Sequence, residues 1–168
     1  ITNVTNNPAF DSGAKWSSDG TKLVFYSYRD QPNGEIYTLN PDTAAVARLT
    51  NDSFSDSFPA WSPDGIKIVF MRPTTSTQAG NYDLFTVDPI PANPLVLPGN
   101  LTNHPSADFD PSWGAITTVS NGKIAFEAFS SGAGVTQIYT IADAVGATPA
   151  LCGAGETREG FRPAYSHD

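Results

Sequence analysis

The 168-residue sequence is poor in most of what familiar functional classes require. It has one cysteine, one methionine and two histidines, and nine Lys and Arg residues against seventeen Asp and Glu, for a formal charge of -8. The lone thiol, Cys152, cannot form an internal disulfide, so cysteine usage leaves the redox compartment open. Phosphate neutralisation needs clustered cations, and the few present are scattered, which argues against nucleic-acid binding. No apolar run approaches the roughly 18 residues of a membrane-spanning helix, and no charged start precedes an apolar leader. Catalytic signatures are missing too: there is no GxSxG elbow, and "CGAGETREG" lacks the Lys-Ser/Thr of a phosphate loop. The acidic balance suits a basic partner or a cation.

What the chain does have is turn chemistry and short apolar runs. Charged residues make up 15%, Gly and Pro number 14 each, and Ser, Thr and Asn are plentiful. That composition favours many short strands over long helices, and so an all-β chain. Three glycosylation-like triplets, beginning at Asn3, Asn51 and Asn100, fall in these Asn-rich stretches and read as turns.

A repeat organises the strands. "ITN" at Ile1 returns as "LTN" at Leu49 and Leu101 and is echoed by "LCG" at Leu151, at offsets of 48, 52 and 50 residues. Each period runs in the same order: an aromatic residue (Trp16, Trp61, Trp113), then "KLVF", "KIVF" or "KIAF", then "EIYTLN", "DLFTVD" or "QIYTIA", then the Leu segment. Asp19-Gly20, Asp64-Gly65 and Asn121-Gly122 separate the first two runs, where a tight hairpin needs residues that tolerate positive φ. The runs alternate with period two, so Leu23 and Phe25, or Ile68 and Phe70, share a face. Both faces carry apolar side chains, which predicts sheets covered on both sides. Four strands per period of about 40 to 50 residues define a β-propeller of four-stranded antiparallel blades. Three blades are expected, at about 4–51, 52–103 and 104–153, with the first strand of a fourth in about 154–168.

"PAWSPDGIKIVF", with "YDLFTVD" and "NLTN" after it, resembles the TolB-type propeller repeat, a relative of the WD-type repeats also found in tricorn-like proteases and prolyl oligopeptidase propellers. The resemblance covers nearly the whole chain and implies fold more than function. It implies a non-catalytic protein-binding or scaffold module without a cofactor, periplasmic or extracellular. Two alternatives stand beside it: a self-assembling extracellular subunit whose open ends join into a ring or filament, and the substrate-gating propeller of a larger hydrolase. The terminal "RPAYSHD" enters the motif of "FPAWSPDG" without its turn Gly, which is expected of an excerpt from a longer propeller. If the chain were complete, its copies would associate into a homo-oligomer or polymer.

Several residues invite a functional reading. Asp11, Asp56 and Asp108 each lie five residues before the blade aromatic, with Asp110 close by, and Gly160 breaks the series. Converging at one mouth, such carboxylates suit Ca²⁺ or a Lys- or Arg-bearing peptide; each also suits a local role capping its own loop. Trp16, Trp61, Trp113 and Tyr165, with Phe25, Phe70 and Phe126, read as core packed between blades rather than as a stacking surface. His104 and His167 read as surface loop residues, and Cys152 as a structural replacement for Thr50 and Thr102. Arg29-Asp30 and Arg158-Glu159 read as surface charge pairs. The longer connections "RPTTSTQAGNY" and "DPIPANPLVLPGN" are the expected contact loops.

Overall fold

Alternating runs bounded by Gly, Asp and Asn become strands because a pleated strand buries every second side chain. A computed structural model describes residues 1–75, 81–90, 97–103, 105–114, 123–130, 135–142 and 150–151. The first antiparallel sheet contains β1 (Asp11–Trp16), β2 (Leu23–Ser27), β3 (Glu35–Asn40) and β4 (Ala45–Arg48), in that order. The second contains β5 (Ser57–Trp61), β6 (Ile68–Pro73), β7 (Tyr82–Val87) and β8 (Gly99–Asn100). The third contains β9 (Asp108–Gly114), β10 (Lys123–Ser130), β11 (Val135–Ala142) and β12 (Ala150–Leu151). Among the described residues no helix is long and apolar enough to cross a membrane.

Register places an aromatic pair across the two central strands of each sheet: Phe25 opposite Tyr37, Phe70 opposite Phe85 and Phe126 opposite Tyr139. All three pairs stack, with centroids 5.8, 6.1 and 5.9 Å apart. Such pairs contribute about 1 kcal/mol beyond the area they bury.

Packing between sheets joins the far face of one sheet to the aromatic-pair face of the next. Val24, Ile36 and Leu49 of the first unit meet Trp61, Ile68, Phe70 and Val87 of the second. Ala60, Val69, Leu84 and Leu101 in turn meet Trp113, Ile124, Phe126 and Ile141 of the third. Full burial of a side chain of this size contributes about 1.5–3 kcal/mol. Trp61 and Trp113 are each 8% exposed in these clusters, whereas Trp16 is 57% exposed. The difference is one of partners: Trp61 and Trp113 sit beside a preceding sheet and Trp16 does not. Tyr165 lies outside the described residues.

Each first strand carries the same irregularity. The β1–β2 register slips between Ser12 and Lys15, the β5–β6 register between Ser57 and Ala60, and the β9–β10 register between Ala125 and Glu127. Gly13, Phe58 and Asp110 adopt left-handed φ values of 67, 52 and 45° there. A bulge of this kind re-aims the preceding side chain, which in each unit is the Asp two residues earlier.

The hairpin turn is wider than the Asp-Gly dipeptide implies. Gly20 N–H donates to Ser17 O at 2.9 Å, and Gly65 N–H to Ser62 O at 2.9 Å. Only the glycines take positive φ, at 70 and 73°. Asp19 and Asp64 instead accept short bonds from the Ser17 and Ser62 hydroxyls, both 2.6 Å. Asn121-Gly122 lies outside the described residues.

Two substitutions separate the backbone and side-chain parts of this turn. A Cβ at Gly65 would meet nothing within 4 Å, so Gly65→Ala is expected to cost only the left-handed penalty, about 1 kcal/mol in urea unfolding. Ser62 is fully buried, and its hydroxyl also accepts from Lys67 N–H at 2.9 Å. Ser62→Ala is therefore expected to cost more, about 1–3 kcal/mol, because two partners lose a bond. Equal costs at the two positions would contradict this division.

Candidate functional site

Strands β1, β5 and β9 begin at the same end of their sheets at which β2, β6 and β10 finish. The bulges therefore bring Asp11, Asp56 and Asp108 beside the last residues of those second strands. What each Asp meets there depends on the second strand, and the three units differ.

In the first unit Arg29 reaches back from beyond β2. Its Nη2 lies 3.0 Å from Asp11 Oδ1, its Nε donates to Ser27 Oγ at 3.0 Å, and its guanidinium rests 5.0 and 4.9 Å from the ring centres of Phe25 and Tyr37. Burial pushes the Asp11 carboxyl up, but hydrogen bonds from Ser27, Thr5 and Arg29 outweigh it and hold the group below its usual range. Arg29 is thus no surface partner of Asp30. Asp30 accepts from the Tyr37 hydroxyl at 2.7 Å, and that bond adds to the burial that raises the phenol.

In the second unit the guanidinium comes from within the strand. Arg72 Nε and Nη2 meet Asp56 Oδ1 and Oδ2, both at 2.7 Å, and Nη2 also lies 2.8 Å from Asp52 Oδ2. The group packs 5.2, 5.4 and 5.0 Å from the ring centres of Phe54, Phe70 and Phe85. Burial works against the Arg72 charge, yet Asp56, Asp52 and Glu35 outweigh it and hold the guanidinium more firmly protonated. Glu35, fully buried, accepts from Thr50 Oγ1 at 2.6 Å and from Arg48 Nη2 at 2.9 Å. Burial, with Asp56 nearby, raises its carboxyl against those bonds.

The third unit keeps the carboxylates and not the cation. Ala128 stands two residues after Phe126, where Arg72 stands after Phe70, and Asp83 of β7 holds the place of Glu35. Asp83 and Asp108 are 2% and 1% exposed. Asn100 Nδ2 donates to Asp83 Oδ2 at 2.8 Å, while Asp83 Oδ1 and Asp108 Oδ2 are buried without a hydrogen-bond partner. Burial, then the Asp83 charge, pushes the Asp108 carboxyl up to about 7 despite a bond from the Thr102 hydroxyl.

The periodic carboxylates therefore meet three different environments. Asp11 and Asp56 are taken up by arginines in ion pairs; among the described residues Asp108 has no such cation. Asp110 serves at the bulge, where Asp tolerates left-handed φ. Among the described residues no group of three or more His, Cys, Asp or Glu is placed to hold a metal ion. The arginine caps were missed in the sequence, although an Arg after the "F" of a second strand, paired with the periodic Asp, is the signal. His104, Cys152, His167, Arg158 and Gly160 lie outside the described residues, as do 76–80 and 91–96 of the long connections. At this same end Phe10, 63% exposed, meets Tyr26 and Tyr28 at 6.3 and 6.1 Å, and Tyr26 meets Phe58 at 5.8 Å.

Consecutive four-stranded antiparallel sheets packed face to face, each opened by a bulged strand, make this a β-propeller in part. Its fold is of the TolB type. A structure described as putative TolB from Agrobacterium tumefaciens superposes with a TM-score of 0.65 at 22% identity, over 88% of this chain and 50% of that one. TolB from Acinetobacter baumannii superposes at 0.62 and 19% identity, over 82% of this chain and 31% of that one. The chain thus spans half the length of the first and under a third of the second. No protein-family profile and no curated protein sequence matches it.

The paired and unpaired carboxylates are expected to respond oppositely to removal. Asp56→Ala leaves Arg72 buried with the contact to Asp52 and the more distant Glu35 charge, and denaturant unfolding is expected to show a loss of about 3–5 kcal/mol. Asp11→Ala, at a more open pair, is expected to cost about 1 kcal/mol or less. For Asp108 the folded carboxyl titrates above its unfolded value, so its protonated form favours the fold. Its contribution is complete below about pH 4 and is lost as pH rises through about 7. Asp108→Asn is accordingly expected to gain stability relative to the parent between pH 5 and pH 8, by no more than about 4 kcal/mol. A pH-independent difference would contradict the assignment.

Proposed function

We propose that this chain is part of a non-catalytic, protein-binding β-propeller that engages its partner at the end where the first strands begin. The observation that carries this reading is the aromatic patch of Phe10 and Tyr28, 63% and 38% exposed. Aromatic side chains supply large contact area at low entropic cost and are enriched at interface centres. Two acidic side chains lie at the same end: Asp30 is exposed, and Asp52 keeps 24% of its side chain in solvent while pairing with Arg72. The partner surface is accordingly basic, with an apolar centre. The opposite end carries the hairpin turns, where Asp19 and Asp64 stand with Lys22 and Lys67 and leave charges of both signs. A periplasmic or extracellular setting accords with the TolB-type fold.

A second reading has its own observation. Trp16 is 57% exposed, whereas Trp61 and Trp113 lie under a preceding sheet. The first sheet therefore presents the side of a blade that receives another blade, from the same polypeptide or from a second copy.

Photocrosslinking in the source cell tests the first reading. With p-benzoylphenylalanine replacing Tyr28, a discrete protein adduct is expected. The same group replacing Ile66, 57% exposed at the hairpin end, is expected to give none. Adducts at Ile66 alone, or at neither position, would overturn the assignment of the binding end.

A further inference from the structure

We infer that the junction between the second and third sheets is a receptor for an arginine side chain supplied by the protein partner. This rests on the protein-binding reading above and gives its partner a specific chemistry.

The three units share one frame and differ in what fills it. Each has a stacked aromatic pair across its central strands and an Asp at the start of its first strand. In two of them a guanidinium lies over that pair and binds that Asp: Arg29 on Phe25, Tyr37 and Asp11, and Arg72 on Phe70, Phe85 and Asp56. The two arginines come from different positions, four and two residues after the strand Phe. It is therefore the guanidinium, not a sequence position, that this geometry selects. Attraction to the ring faces and charge-assisted bonds to the carboxylate act together on one planar cation.

In the third unit Phe126, Tyr139 and Asp108 reproduce the receiving groups, and Asp83 adds a second carboxylate. Ala128 and Ser130 hold the two positions from which an arginine would come. Asp83 Oδ1 and Asp108 Oδ2 are the unpartnered oxygens, each on a side chain at least nine-tenths buried. Two buried carboxylates without a cation are unfavourable, and a cation offering several N–H donors relieves both at once. Access follows from one replacement. Phe54, whose ring packs over Arg72, has Ser106 as its counterpart in the third unit. A small hydroxyl side chain thus stands at the sequence position that the Phe54 ring takes in the second unit. A guanidinium suits the site better than a metal ion, because two carboxylates supply few of the six to eight oxygens that calcium takes.

The direct test titrates the full protein with N-acetyl-L-arginine amide and follows the Ala128 methyl and Asp108 carboxyl by NMR at pH 8. Saturable shifts at both groups are expected, with weaker binding of N-acetyl-L-lysine amide, whose ammonium lacks the planar fork. Asp108→Asn is expected to weaken the arginine probe by at least about tenfold. Ala128→Arg places a tethered guanidinium where Arg72 has one, and is expected to raise the melting temperature and abolish probe binding. Should Ala128→Arg fail to fold, the parent and Asp108→Asn titrations decide alone. Absence of shifts in the parent, shifts that survive Asp108→Asn, or equal shifts with CaCl₂ would each overturn the inference. Failure here with a persisting crosslink at Tyr28 would remove only the arginine receptor; loss of that crosslink would remove the wider reading.

Discussion

A bidentate pair between Asp56 and Arg72, closed between two sheets and laid on three aromatic rings, is the constraint around which the described part of this structure is arranged. Neither charge is stable there alone, because burial without a partner costs several kcal/mol per ion. The pair also fixes the geometry. Asp56 can reach Arg72 only because the bulge at Phe58 turns the strand, and Arg72 can lie flat only because Phe70 and Phe85 stack beneath it. The apolar contacts supply most of the stabilisation between sheets, and the ion pair fixes the start of β5 against the end of β6 within the second sheet.

The repeat preserves this arrangement as geometry more than as sequence. Arg29 arrives from outside its strand and Arg72 from within, yet both finish over a stacked pair and against the first-strand Asp. The third unit retains the frame without a cation among the described residues, so one scaffold yields two self-contained sites and one with charge to spare. Repeat proteins allow this because each unit contacts only its neighbours, and a change at one junction leaves the others intact.

Much of the fold was legible in the sequence for a physical reason. Period-two alternation, glycine at positive φ and recurrence at about 50 residues are local signals, and local signals survive in a linear string. The aromatic stacks follow from register once the hairpins are placed. Pairings at a distance were less legible. Asp11 and Arg29 stand 18 residues apart, and Arg29 stands beside Asp30, which offered a simpler partner. The exposure of Trp16 was equally hidden, because burial depends on what stands beside a sheet and not on the residue itself. Asp83 drew no notice either, being an ordinary strand-entry residue until β9 brings Asp108 against it.

The most direct measurement is a double-mutant cycle on Asp56→Ala, Arg72→Ala and the combined variant, read as unfolding free energies in denaturant. If the pair is the constraint claimed for it, the two losses overlap strongly, with a coupling of about 2–3 kcal/mol and a double variant little worse than either single one. Additive losses, with coupling under about 0.5 kcal/mol, would show that the two charges act independently and would contradict the account.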